Sequence, residues 1–297
     1  MDSVIETEGL TKRWGTLTAV DDINLRIPAG ECYAFLGLNG AGKSTTARML
    51  LDFIRPTKGT IRVLGGQGSD PSVRARVGYL PGDLNLPRSM TGKDAIAFFG
   101  GLGGDRLHVD SARLIERFGL DPSRPFRELS TGNRRKVGLV LAFMTNPDLL
   151  ILDEPTSGLD PLLQGEFRDL LAERKAAGAT IWLTSHVMAE VERVADRVGL
   201  VRDGRLAREL TMAELRHQAI GQIRLTFPAH VDAGQFQRVP HVTGAQGTNG
   251  EVLVSVDGPV TDVLARGAEL GATGIETEKR DLDDIFLEMY QSRGDAK

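Results

Sequence analysis

Hydrophobic and polar positions change period several times along the chain, and each change marks an element. Two-residue alternation with β-branched residues predicts strands at Val4–Leu10 and Leu17–Ile27. Pro28-Ala29-Gly30 makes a turn, and Glu31–Leu36 reads as a buried strand. A glycine-rich stretch then gives way to helical spacing from about Ser44 to Phe53, closed by Pro56 and Gly59 before another strand, Thr60–Leu64. Strand, glycine loop, helix and strand outline a βαβ unit. Leu149–Leu152 and Thr180–Leu183 are short, continuously apolar runs that suit central parallel strands covered on both faces. Between them Leu162–Ala177 has helical spacing and stops at Gly178. Val198–Arg202 and Arg205–Glu209 meet at Asp203-Gly204, a hairpin signal, and a short helix follows at Met212–Gln218.

After residue 218 the pattern becomes that of a small α+β unit. Strands are expected at Gln222–Phe227, Glu251–Val256 and Thr273–Lys279, and helices around Ala233–Gln237, at Pro259–Leu270 and at Leu282–Gln291. Their order suggests a βαββαβ arrangement. The expected division is therefore 1–217 for an α/β domain and 218–297 for a smaller accessory domain.

Composition narrows the function classes. The 297 residues are 41% hydrophobic and 26% charged, ordinary for a globular chain. A net charge of −4 and 5% aromatics argue against a nucleic-acid partner. A single cysteine, Cys32, excludes an internal disulfide, fits a reducing compartment and sits in an apolar run as a core residue. The N-terminus has neither a basic nor an apolar region, so no secretory leader is expected. The apolar-rich stretch Val137–Met144 falls far short of the roughly 20 residues that a membrane span needs. Any membrane role must come through a partner.

Chemistry concentrates in three places. Gly37-Leu38-Asn39-Gly40-Ala41-Gly42-Lys43-Ser44-Thr45 fits G-x-x-x-x-G-K-[ST] between a predicted strand and a predicted helix, the context in which that motif binds phosphate. Its glycines let backbone N–H groups face phosphate oxygens, the helix N-terminus adds a positive dipole end, Lys43 can reach the β- and γ-phosphates, and Ser44 can ligate Mg²⁺. A bare glycine-rich turn is the competing reading. Leu149–Leu152 delivers Asp153 and Glu154 at its carboxyl end, where buried carboxylates need a cation or a proton-transfer task. Asp153 is expected on Mg²⁺ and Glu154 as the general base for the attacking water. Leu129-Ser130-Thr131-Gly132-Asn133 opens a helix with Ser130 as N-cap. Arg134, Arg135 and Lys136 then crowd its first turn against the dipole, which suggests an anion nearby.

The order of phosphate loop, LSTGN at 129–133, ILDEP at 151–155, SGLD at 157–160 and TSH at 184–186 resembles the ATPase domain of ABC transporters over residues 3–217. The resemblance implies a P-loop NTPase fold of ABC type: a mixed sheet core, an antiparallel β subdomain and a helical subdomain at about 84–145. It implies a head-to-tail dimer, expected as a homodimer, with ATP between two copies. Ser130 and Gly132 of one copy would cap the γ-phosphate held by the other, and Asp160 would communicate across that face. His186 would contact the γ-phosphate and help place Glu154, and Trp14 stands where the family stacks an aromatic ring on adenine. The tail Asp281–Leu287 and the wording around Pro56–Gly59 are similar to ATPase subunits of drug, antibiotic and polysaccharide exporters. In that subgroup the small C-terminal domain is thought to brace the dimer. The Ile285/Phe286/Met289 cluster fits either that role or a plain core. Such subunits sit at the cytoplasmic face of the membrane, held by a separate integral permease. Gly82 stands where the family has Gln, with Asp83 the nearest polar substitute, and Thr131 and Asn133 replace a Gly and a Gln of the usual LSGGQ. The competing readings are a soluble ABC ATPase acting on DNA or ribosomes, whose coiled coils or tandem domains are missing here, and a non-hydrolysing ATP-gated regulator, which Glu154 and His186 speak against.

Overall fold

A computed structural model describes residues 3–102, 110–218, 220–256, 258–279 and 282–291. The chain forms two compact units, Met1–Glu209 and Leu210–Lys297.

The first unit begins with two long strands, β1 (Ser3–Trp14) and β2 (Leu17–Pro28), paired antiparallel, with β4 (Lys58–Val63) on the other edge of β1. Alternation decides the faces: Ile23, Leu25 and Ile27 are buried while Asn24 and Arg26 point out. The apolar runs build a second sheet of β3 (Cys32–Leu36), β5 (Val77–Leu80), β6 (Leu149–Asp153), β7 (Thr180–Ser185), β8 (Arg197–Arg202) and β9 (Arg205–Thr211), in the order β5-β6-β7-β3-β8-β9. Its pairs β5/β6, β6/β7, β7/β3 and β3/β8 are parallel. Every residue of β3, β6 and β7 is buried. β8 and β9 join through Asp203 and Gly204, both at positive φ (51° and 79°), as a type I′ hairpin requires. Cys32 lies in this core, where burial pushes its thiol up to about 12.

Helix α1 (Lys43–Leu50) ends three residues before the expected Phe53. Asp52 turns left-handed (φ 54°), and the Asp52 and Phe53 N–H groups reach back to the carbonyls of Met49 and Arg48. That is a Schellman closure, formed here without glycine. Past the single turn α2 (Pro71–Arg74), helices α3 (Gly92–Gly101), α4 (Ser111–Phe118) and α5 (Thr131–Phe143) occupy the stretch between β5 and β6, α3 opened by a Thr91/Asp94 capping box. α6 (Pro161–Ala176) and the short α7 (Met188–Val191) flank β7 in sequence. Among the described residues no helix is long and apolar enough to cross a membrane.

The second unit holds α8 (Met212–Gln218), β10 (Ile220–Thr226), β11 (Val242–Thr248), β12 (Glu251–Val256), α9 (Thr261–Glu269), β13 (Gly274–Lys279) and α10 (Leu282–Gln291). Its sheet runs β11-β12-β10-β13, antiparallel throughout, which is the split βαββαβ order. The first helix of that pattern is reduced to one 3₁₀ turn, Ala233–Phe236. The core gathers Ile223, Leu225, Phe236, Val252, Val254 and Val263. α8 packs with β10 and α10 and so belongs to this unit, eight residues ahead of the 217/218 division read from sequence.

Candidate functional site

The glycine loop connects β3 to α1 at the carboxyl edge of the parallel sheet, where α/β folds place ligands. Gly40 and Gly42 both have positive φ (84° and 105°). At Gly42 a Cβ would also sit 2.5 Å from the Ala19 carbonyl oxygen, so no side chain fits. No side chain caps α1 and no acid lies in its first turn, which leaves its N-terminal N–H groups and dipole for an anion. Leu38, Asn39 and Gly40 are exposed, Ala41 and Gly37 buried, Ser44 and Thr45 half-buried. Lys43 is only 6% exposed, and a buried ammonium needs partners. It donates to the carbonyls of Gly37 (2.7 Å) and Leu38 (3.3 Å) and pairs with Glu154 Oε1 at 3.2 Å.

The second wall is the adjacent ends of β6 and β7. Asp153 is buried, and its Oδ1 accepts from Thr184 Oγ1 at 2.6 Å. The same Thr184 oxygen accepts the Glu154 N–H at 2.9 Å, so one hydroxyl serves both acidic residues. Glu154 adopts a left-handed backbone (φ 48°), which costs a non-glycine residue on the order of 1–3 kcal/mol and persists where surroundings over-determine it. His186 lies beyond the end of β7, 47% exposed, with Nδ1 2.7 Å from Glu154 Oε2. A carboxylate only accepts, so this nitrogen carries the proton. A continuous line of contact thus joins glycine loop, Lys43, Glu154 and His186.

The remaining expected residues sit on other elements. Trp14 ends β1, 52% exposed, with Lys12 Nζ 4.2 Å from its ring centroid. Ser130 caps α5 by accepting the Asn133 N–H, Gly132 approaches the Gly158 carbonyl, and Asp160 caps α6 through the Leu163 N–H. Among the described residues none of these three shares a hydrogen bond with Lys43, Glu154 or His186. The three cations after Asn133 diverge: Arg134 lies over the Phe126 ring, Lys136 reaches the Gly119 carbonyl, and Arg135 turns inward. Sequence reasoning singled out neither Thr184 by itself nor the inward turn of Arg135. The only signal for Thr184 was its place in TSH.

The donors suit a hard divalent cation. Ser44 and Asp153 offer oxygen atoms only, and among the described residues no cluster of three or more His, Cys, Asp or Glu could hold an ion without other ligands. Mg²⁺ keeps waters and substrate phosphates in its shell and needs only one or two protein oxygens. Gly82 leaves the Asp153 Oδ2 side open, since a Cβ there would come within 3.2 Å of it.

Known proteins resemble this chain in sequence and in fold. Residues 20–157 match the family model described as ABC transporter. The bacitracin transport ATP-binding protein BcrA of Enterococcus faecalis is 36% identical over 220 residues, 72% of this chain and 71% of the relative. The daunorubicin resistance ATP-binding protein DrrA3 of Streptomyces coeruleorubidus is 32% identical over 305 residues, covering 97% of this chain and 96% of its own length. A solved ATP-binding subunit of an ABC transporter superposes with a TM-score of 0.66 at 30% identity, over 73% of this chain and 93% of that one. A dimeric cassette in a post-hydrolysis state bound to ADP and Pi shares the fold, with a TM-score of 0.64 at 20% identity, over 70% of this chain and 98% of that one. A phosphate loop facing an acidic strand end, on a fold and sequence shared with these relatives over most of its length, makes this chain a member of the ABC transporter family, as one of its ATP-binding subunits.

Proposed function

We propose that this chain hydrolyses ATP to drive an exporter whose membrane-spanning part is a separate permease. The observation that carries the reading is the contact line from the glycine loop through Lys43 and Glu154 to His186. Loop amides 37–45 and Lys43 hold the β- and γ-phosphates, and Trp14 stacks on adenine. Ser44 and Asp153 would hold Mg²⁺, which supplies charge neutralisation at the phosphates when bound. Glu154 accepts the proton of the attacking water, and His186 orients its carboxylate through Nδ1–H. Thr184 keeps Asp153 and Glu154 in register.

Among the described residues Ser130, Gly132 and Asp160 share no hydrogen bond with Lys43, Glu154 or His186, which fits service to a nucleotide held by a second copy. ATP then closes a homodimer by binding the closed state more tightly than the open one, and hydrolysis releases it. The named relatives act in bacitracin transport and daunorubicin resistance, which supports outward transport of a drug or antibiotic from the cytoplasmic face of the membrane.

The test is isolation of the full chain from membranes. An integral membrane protein co-purifies, and the pair hydrolyses ATP only with Mg²⁺. Absence of magnesium-dependent ATP affinity refutes the reading. Turnover stimulated by nucleic acid, with no membrane partner, replaces it by a soluble ABC ATPase.

A further inference from the structure

Arg135 is the one cation of the crowded α5 first turn that leaves the surface. It is 5% exposed, and no carboxylate pairs with it directly among the described residues. Burial pulls its pKa below the ordinary arginine value, while Asp153, Glu154 and Asp83 act through space to keep the charge. Its whole hydrogen-bonding capacity goes to main-chain oxygens. Nε donates to Pro155 O (3.1 Å), one terminal nitrogen to Pro81 O (2.6 Å) and Gly82 O (3.1 Å), and the other to Asp153 O (3.0 Å) and to Glu154 O. Five carbonyls on two separate segments converge on one guanidinium.

Glu154 is held in a left-handed conformation by contacts at both of its peptide groups. Its N–H is taken by Thr184 Oγ1 and its carbonyl by Arg135, with a further bond from the Ser157 N–H at 3.2 Å. Rotating that backbone would swing the carboxylate away from Lys43 and His186. The same guanidinium anchors the loop after β5, where Gly82 lies against Asp153. A lysine cannot substitute: one ammonium has three donors and no planar fork.

We propose that Arg135 is a positioning residue for hydrolysis: it locks the backbone of Glu154 in the conformation that aims the carboxylate, and ties it to the Pro81–Gly82 loop. This inference rests on the reading of Glu154 as the water-activating base. Arg135 has no hydrogen bond to the glycine loop, and it meets Asp153 and Glu154 at their main-chain oxygens and not at their carboxylates, so its effect falls on turnover far more than on binding.

The test uses the full chain with Arg135→Lys and Arg135→Gln beside Glu154→Gln, each assayed for kcat, KM for ATP and affinity for a non-hydrolysable ATP analogue. Misplacing a catalytic group by an ångström costs about 100-fold. Both Arg135 variants are expected to lose kcat on that scale while KM and analogue affinity stay within about threefold, the signature of an interaction used only in the transition state. If Arg135→Gln fails to fold, Arg135→Lys, which keeps charge and stem, carries the comparison. An Arg135→Lys enzyme with at least half the parent kcat overturns the proposal. So does a parallel loss of analogue affinity and kcat, which is what general loosening of the domain produces. Should Glu154→Gln itself keep turning over, the base assignment is what fails. With Glu154→Gln dead and Arg135 variants fully active, only the positioning role fails.

Discussion

Replacing Glu154 by Gln keeps the side chain's size and removes its charge and basicity. In the structure its two oxygens have different tasks: Oε1 neutralises Lys43 at 3.2 Å, and Oε2 accepts from His186 at 2.7 Å. An amide oxygen can still accept from His186, so the neighbouring groups keep their places. On the proposed reading what is lost is a general base, worth about 10²–10⁴ in rate, or about 3–5 kcal/mol of barrier. Lys43, no longer neutralised by Glu154, keeps its full charge for a triphosphate, so ATP affinity should be unchanged or tighter. Steady-state phosphate release and equilibrium binding of ATP, measured on the same preparation with Mg²⁺, read the two effects separately. Size-exclusion chromatography with ATP should show a dimer accumulating, because closure proceeds and the reset does not. Turnover above about 10% of the parent would refute a base role, since a general base contributes at least about 10². A tenfold loss of ATP affinity would refute the division of labour between the two oxygens.

Thr184→Val preserves shape but strips the hydroxyl shared by Asp153 and the Glu154 N–H, leaving two buried polar groups unserved. At about 1–3 kcal/mol for each such group, stability should fall by about 2–6 kcal/mol, read from denaturant midpoints, with Thr184→Ser recovering most of it. An unchanged midpoint would show that the hydroxyl is dispensable. Cys32 is buried and its thiol is pushed up to about 12, so thiol reagents at pH 8 should modify it only after unfolding. Because the folded thiol holds its proton to higher pH than the unfolded one, stability falls as pH climbs from about 9 toward 12. Cys32→Ala should lessen that fall, and an identical pH profile would contradict the burial effect.

Local order carried the readings that succeeded. The continuous apolar runs Leu149–Leu152 and Thr180–Leu183 gave buried parallel strands, and Asp203-Gly204 gave a hairpin, since each depends on residues that are neighbours in sequence. β11 escaped because Val242–Thr248 is an edge strand with two glycines, paired on one side only and lacking an alternating apolar face. The end of α1 was misplaced because the helical spacing runs on to Phe53, whereas the backbone turns at Asp52 to satisfy the last carbonyls.

The chain's order of residues alone determined the phosphate loop, the acidic strand end and the family. Glycines at fixed offsets and a strand ending in carboxylates are local demands of phosphate chemistry, so they are written contiguously. Only the folded structure decided that Lys43, Glu154 and His186 form one line of contact, and that Arg135 faces carbonyls and not an anion. The physical reason is separation: Arg135 serves carbonyls 18–20 residues ahead and 53–54 behind, and which buried oxygens want a donor is set by how strands and loops meet.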